Sequence, residues 1–187
     1  KATLSSTSTY AFKNKNDKNI FEKIIKKVKT IHMGGDCYQY CLLADNSRKI
    51  SLKYFKKKLN VSSKSKKQFN PVTIADTSVQ SYINTCINKR YPDHSIIGEE
   101  DNLIQKSIYE WCIDPIDGTK SFIQGFPIWG TLISLSRKNQ IILGIADIPA
   151  LDERYIGYSK LSYKIKNGKK TKLKVRNTDK IKESILN

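Results

Sequence analysis

The sequence predicts an α+β fold in which helices and mostly antiparallel strands form layers. Three observations point there: apolar residues at helical spacing in three segments, short strand-like runs through the second half, and hairpin signals between those runs. At 187 residues one domain spanning 1–187 is expected, with enough chain for a substantial core.

From the N-terminus, Asp17 to Lys29 places Ile20, Phe21, Ile24, Ile25 and Val28 on one helical face, with Asp17 as N-cap, and leads into a Gly34-Gly35 turn. Leu43 to Leu59 reads as a second helix, and Ser62 to Gln68 as a lysine-rich loop. Asn70-Pro71-Val72-Thr73 is an extended lead-in that delivers Asp76 to the head of a third helix, Thr77 to Tyr91, which stops before Pro92. Strands are expected at Ser95–Ile97, Ile108–Ile113, Thr131–Arg137, Ile141–Asp147 and Arg154–Tyr158, with a hairpin break at Asn139-Gln140. Lys160 to Lys174 carries Asn167-Gly168, the turn signal of a further hairpin.

The chemistry concentrates in Trp111-Cys112-Ile113-Asp114-Pro115-Ile116-Asp117-Gly118-Thr119. Asp114 ends an apolar run, Pro115 stiffens a turn, and Asp117 returns a second carboxylate to the same edge. Gly118 and Thr119 open a helix whose free N–H groups suit a phosphate. Hard oxygen donors in this pattern suit Mg²⁺, although Asp-Pro and Asp-Gly also serve as plain turn formers. Gly98-Glu99-Glu100, after the apolar pair Ile96-Ile97, and Pro71-Val72-Thr73 with Asp76 bring further carboxylates to neighbouring element ends.

These three elements, with WCIDPIDGTKSF from Trp111 to Phe122, resemble the Mg²⁺-dependent inositol monophosphatase-like phosphatases. The segment Gly34-Gly35-Asp36-Cys37-Tyr38-Gln39-Tyr40 is similar to the signature of the histidinol-phosphate phosphatase branch, and Ala2 to Ser8 resembles a strand of that branch. The resemblance implies a layered αβαβα sandwich and hydrolysis of a small-molecule phosphate monoester. It assigns Glu99, Asp114 and the Ile116 carbonyl to one Mg²⁺, and Asp114 with Asp117 to a second. Glu99 and Thr119 would orient the attacking water, and Ile116, Asp117, Gly118 and Thr119 would hold the phosphate end. Asp76 is read either as a further metal or water contact or as a helix cap. Asp36 would face the amine or imidazole of histidinol phosphate, the alternative being a turn residue beside Gly35. Lys66 could approach the rim of the site, while His32 and His94 look incidental. Inositol or other sugar phosphates are the alternative substrates.

The motif order departs from the family's. Residues 1–45 resemble a later part of the family fold and 46–187 its N-terminal part, so the chain reads as circularly permuted and incomplete. A family aspartate in a Trp/Tyr-Asp-X-Ala-Ala context has no counterpart, which would leave the second metal site short of a ligand. With Met33 the only methionine and none at the start, a fragment or joined product is expected.

The formal charge of +17 raises nucleic-acid contact, or an inactive basic remnant, as further readings. The lysines are spread over several runs without interleaved aromatics, as solvated faces would be, so nucleic acid is not the expected partner. No apolar stretch reaches membrane-spanning length, and a cytoplasmic setting is expected. The family often forms homodimers, though an incomplete sheet would expose an edge open to aggregation. Cys37, Cys41, Cys86 and Cys112 form no Cys-X-X-Cys pair, so reduced thiols and no zinc are expected. Trp111, Phe122, Phe126 and Trp129 read as core and shelter for the site.

Overall fold

The computed structural model describes residues 3–6, 20, 23, 24, 30–33, 35–63, 71–158 and 160–175. Two compact units divide it, Lys1–Asn46 and Ser47–Asn187. In the first unit, strand β1 (Thr3–Ser6) pairs in parallel with β2 (Thr30–Met33). Most of the helix expected over Asp17 to Lys29 lies outside the described residues, as do Gly34 and Lys66.

Helix α1 (Gly35–Tyr54) begins eight residues before the expected Leu43. Asp36, for which a turn residue beside Gly35 is the alternative reading, thus lies in its first helical turn; nothing from Asp36 to Tyr54 is a glycine or proline, so the helix has no internal breaker. It stops at Tyr54, short of Leu59, where Lys56 takes a left-handed φ of 60°.

In the second unit, β3 (Val61–Ser63) pairs antiparallel with β4 (Pro71–Thr73), which feeds α2 (Ile74–Arg90). This helix starts three residues earlier than expected, because Thr73 and Asp76 form a capping box. Ala75, Val79, Ile83 and Ile87, four residues apart, make its buried stripe.

Seven strands then build one sheet, ordered β11-β10-β9-β8-β7-β6-β5. They are β5 (Ser95–Gly98), β6 (Tyr109–Asp117), β7 (Gly130–Arg137), β8 (Gln140–Ile148), β9 (Glu153–Tyr158), β10 (Leu161–Lys166) and β11 (Lys169–Lys172). The two expected hairpins form with left-handed pairs, Lys138-Asn139 and Asn167-Gly168. Within this sheet every pairing is antiparallel except β5 with β6.

Alternation divides the sheet into a buried and an open face. Trp111, Ile113, Ile133, Leu135, Leu143, Ile145 and Ile156 are all 6% exposed or less, and each fully buried aliphatic contributes about 1.5–3 kcal/mol. On the other face, a Cβ added at Gly144 or Gly157 would meet nothing within 4 Å. Cys112, in the run expected to be buried, is exposed there, and Cys86 is half-buried.

Asp147, fully buried, is held by Arg48 and Arg154, with 2.8 Å contacts to each. Within the second unit this network ties Arg48 to β8 and β9. Among the described residues no helix is long and apolar enough to cross a membrane.

Candidate active site

Topology brings the carboxylates together. Because β5 and β6 run parallel, their C-terminal ends lie at the same edge, and the register sets Gly98 beside Ile113. Glu99 N–H continues the ladder to the Ile113 carbonyl at 3.0 Å, which puts Glu99 next to Asp114. Gly98 has no room for a side chain: a Cβ would stand 2.4 Å from the Asp101 carbonyl oxygen and 2.5 Å from the Gln80 amide.

The Asp114–Asp117 segment is not the turn expected from Asp-Pro. It continues β6 as a bulge, since the register to β7 shifts between Asp114 and Asp117. Ile116 buries its side chain in a cluster with Ala75, Phe122 and Trp129, which fixes its carbonyl at the surface of that core. Phe55 joins the stack, 5.5 Å from Phe122 and 5.2 Å from Trp129, and Phe122 meets Trp129 edge-on at 4.7 Å. Phe126 does not shelter the site. It is 55% exposed, because α3 (Thr119–Gln124) ends at Gly125 in a left-handed conformation that turns the chain outward.

Gly118 precedes α3 with φ 86°, where a Cβ would also crowd the Ile128 carbonyl oxygen at 3.1 Å. As N-cap, Gly118 has no side chain to offer the first turn of α3, so no N-cap side chain competes for its backbone N–H groups among the described residues. A cavity of about 240 Å³ is lined by Glu99, Asp114, Ile116, Asp117, Gly118, Thr119, Lys120 and Pro71. Six residues given a metal, water or phosphate role from the sequence therefore share one cavity. Among the described residues no three His, Cys, Asp or Glu side chains form a ready-made metal cage, so the three carboxylates offer a partial ligand set.

Asp114 sits half-buried among acidic neighbours. Burial, then the neighbouring Glu99 and Asp117 carboxylates, push its carboxyl up to about 7. Its Oδ1 is buried with no hydrogen-bond partner. A cation would relieve both conditions. Carboxylate and carbonyl oxygens that leave other positions to water and substrate fit Mg²⁺, which keeps several waters. A second cavity of about 570 Å³ runs along the open face and meets this one at Asp114, but its other lining is chiefly apolar or small, including Leu132, Ser134, Gly144 and Ala146.

Asp76 stands behind the cavity and does not line it. Its Oδ2 accepts from Thr73 N–H at 2.8 Å and the Thr73 hydroxyl at 2.6 Å, and its Oδ1 lies 3.2 Å from the Thr119 hydroxyl. The cap is therefore formed. Burial raises its pKa against the opposing pull of these hydrogen bonds. The Thr119 hydroxyl also lies 3.0 Å from the Ile116 carbonyl.

Asp36 sits in the first turn of α1, and His32 in β2. His94 is built into the packing: it stacks between Tyr91 and Tyr109 at 4.7 and 4.6 Å and accepts from Trp111 Nε1 at 3.1 Å, and burial lowers its pKa. Lys120 was not singled out in the sequence. Its only signal was its place directly after Thr119.

The sequence model of the inositol monophosphatase family matches residues 37–187. The bifunctional phosphatase IMPL2, chloroplastic, of Arabidopsis thaliana is 44% identical over 134 residues, which are 70% of this chain and 36% of that protein. A histidinol-phosphatase of Chlorobaculum parvum is 40% identical over 115 residues, 60% of this chain and 44% of that one. The solved structure of an IMPase from Thermotoga maritima superposes with a TM-score of 0.63 at 29% identity, covering 72% of this chain and 52% of that one. The chain thus spans from about a third to about a half of the relatives it matches.

Proposed function

The chain belongs to the inositol monophosphatase family, and from that premise we propose that it is a Mg²⁺-dependent phosphate monoester hydrolase whose substrate is histidinol phosphate. The observation that carries the reading is the convergence of Glu99, Asp114 and Asp117 with the uncapped head of α3 in one cavity. The family's phosphatases are generally Mg²⁺-dependent.

Glu99, Asp114 and the Ile116 carbonyl would hold one ion, and Asp114 with Asp117 a second. Bound Mg²⁺ supplies positive charge that acidifies a water and offsets charge on phosphoryl and leaving-group oxygens. The Thr119 hydroxyl proton is occupied by Asp76 and the Ile116 carbonyl, which leaves the oxygen's lone pairs to accept from the attacking water. Glu99 is the second acceptor for that water. The N–H groups of Gly118 and Thr119 steady the phosphate, and Lys120 adds a cation at the rim. Positioning and charge stabilisation then supply most of the rate enhancement.

Asp36 would attract the cationic amine or imidazole end of the substrate. The likeness to a histidinol-phosphatase supports that choice, and the IMPase structure supports inositol phosphates as the second reading. A place in histidine biosynthesis, a cytoplasmic setting and a homodimer are part of the same proposal. The permuted order of 1–45 and 46–187 belongs to it too, and the division between Asn46 and Ser47 supports that boundary.

The test is a substrate comparison. Phosphate release from histidinol phosphate should exceed that from an inositol monophosphate, and Asp36→Asn should lower the first selectively. Faster release from the inositol ester, with Asp36→Asn indifferent, would overturn the substrate assignment.

A further inference from the structure

The spacing of Asp114 and Asp117 poses a geometric problem. Along a regular strand, residues three apart point to opposite faces, yet both carboxylates line one cavity. The bulge resolves it. Asp114 pairs with Leu132 and Asp117 with Gly130, so Pro115 and Ile116 on β6 stand opposite the single residue Thr131 on β7. Two residues against one removes a step of the alternation and returns Asp117 to the side of Asp114.

Such a bulge leaves backbone groups out of the ladder. Pro115 has no N–H, and its carbonyl lies in a buried stretch. Thr131, 0% exposed, supplies the partner: its Oγ1 donates to the Pro115 carbonyl at 2.9 Å. The donor is held from behind. Thr131 pairs with Asp147, which Arg48 and Arg154 hold, and Gly130 sits so close that a Cβ would stand 2.8 Å from the Asp147 carbonyl oxygen. Strand β7 therefore has little freedom to follow the bulge if it relaxes.

We infer that Thr131 is a positioning residue for the site: its hydroxyl locks the Pro115-Ile116 bulge and so sets Asp114, the Ile116 carbonyl and Asp117 in register as metal ligands. The inference deepens the proposed function and, for its metal arm, rests on it. Thr131 does not line the cavity. It acts through the Pro115 carbonyl.

Two measurements test it, on Thr131→Val, which keeps the shape and deletes the donor, and on Thr131→Ser, which keeps the donor. Amide hydrogen exchange of the metal-free protein reads the bulge directly. T131V should speed exchange over Ile116 to Thr119 while leaving Trp111 to Ile113 slow, and T131S should match the wild type. Calorimetry with Mg²⁺ alone reads the consequence: T131V should weaken binding by about 10-fold, as loss of a ligand-orienting partner does, with T131S within about twofold of the wild type. Ser51→Ala, which deletes a buried hydroxyl bonded to the Arg48 carbonyl, should leave both readouts unchanged. Should T131V not fold, Thr131→Ala deletes the same donor without adding bulk.

Unchanged exchange over Ile116 to Thr119 in the donor-less variant would overturn the inference, as would equal Mg²⁺ affinity in wild type and variant. A wild type that takes up no Mg²⁺, with the exchange difference intact, would leave Thr131's role standing and remove the metal-dependent reading instead.

Discussion

The Thr119 hydroxyl lies 3.2 Å from Asp76 Oδ1, so the heads of α2 and α3 share a hydrogen bond across 43 residues of sequence. The carboxylate that caps one helix thereby sets the hydroxyl that opens the other. Thr119→Val should lower kcat by about 100-fold, the scale of a lost proton-handling group, while changing KM little. Steady-state kinetics beside a thermal melt checks this. A matching loss of stability would mark the hydroxyl as structural only.

Thr73 tests the cap itself. Its hydroxyl accepts from Ala75 N–H at 3.1 Å and donates to Asp76. Thr73→Ala should cost about 1 kcal/mol of unfolding free energy, read from denaturant titration.

Gly118→Ala places a Cβ where φ is 86° and a carbonyl oxygen stands at 3.1 Å. The left-handed strain alone is about 1–2 kcal/mol. Stability should fall by at least that, and phosphate release should fall further because the head of α3 shifts.

The Asp114 carboxyl gives a pH dependence with a definite sign. Its folded, metal-free pKa of about 7 lies above its unfolded value of about 3.9, so its contribution to stability is fully present below about pH 4 and is lost as pH rises toward 7. Mg²⁺ requires the ionised form. Its affinity should therefore fall by up to about tenfold per pH unit below 7 and level off above it. Melting temperatures with and without Mg²⁺ should diverge as pH rises from about 5.5 to 8. A constant Mg²⁺ effect across that range would contradict the account.

Arg154→Met removes one cation from a carboxylate that is fully buried. The expected loss is about 3 kcal/mol or more, measured by denaturant unfolding, since the remaining Arg48 compensates only in part.

What the sequence disclosed follows from what local pattern encodes. Alternation and the Asn167-Gly168 turn located β7 to β11, and the acidic motifs that line the cavity lie next to one another in sequence or at strand ends. Features that depend on distant partners stayed hidden. The bulge needed Thr131 across the sheet, the exposure of Phe126 followed from the left-handed Gly125, and His94 gained its stacking partners only on folding. The start of α1 at Gly35 escaped because a Gly-Gly pair reads as a turn until the residues after it are seen to carry no breaker.

Phosphate release from histidinol phosphate titrated with Mg²⁺, for the wild type and for Asp114→Asn, tests metal-dependent hydrolysis at this site. Release that rises with Mg²⁺ and is abolished by Asp114→Asn is the expected result. No Mg²⁺-dependent release from a folded wild-type chain, or release that Asp114→Asn leaves intact, would contradict the account.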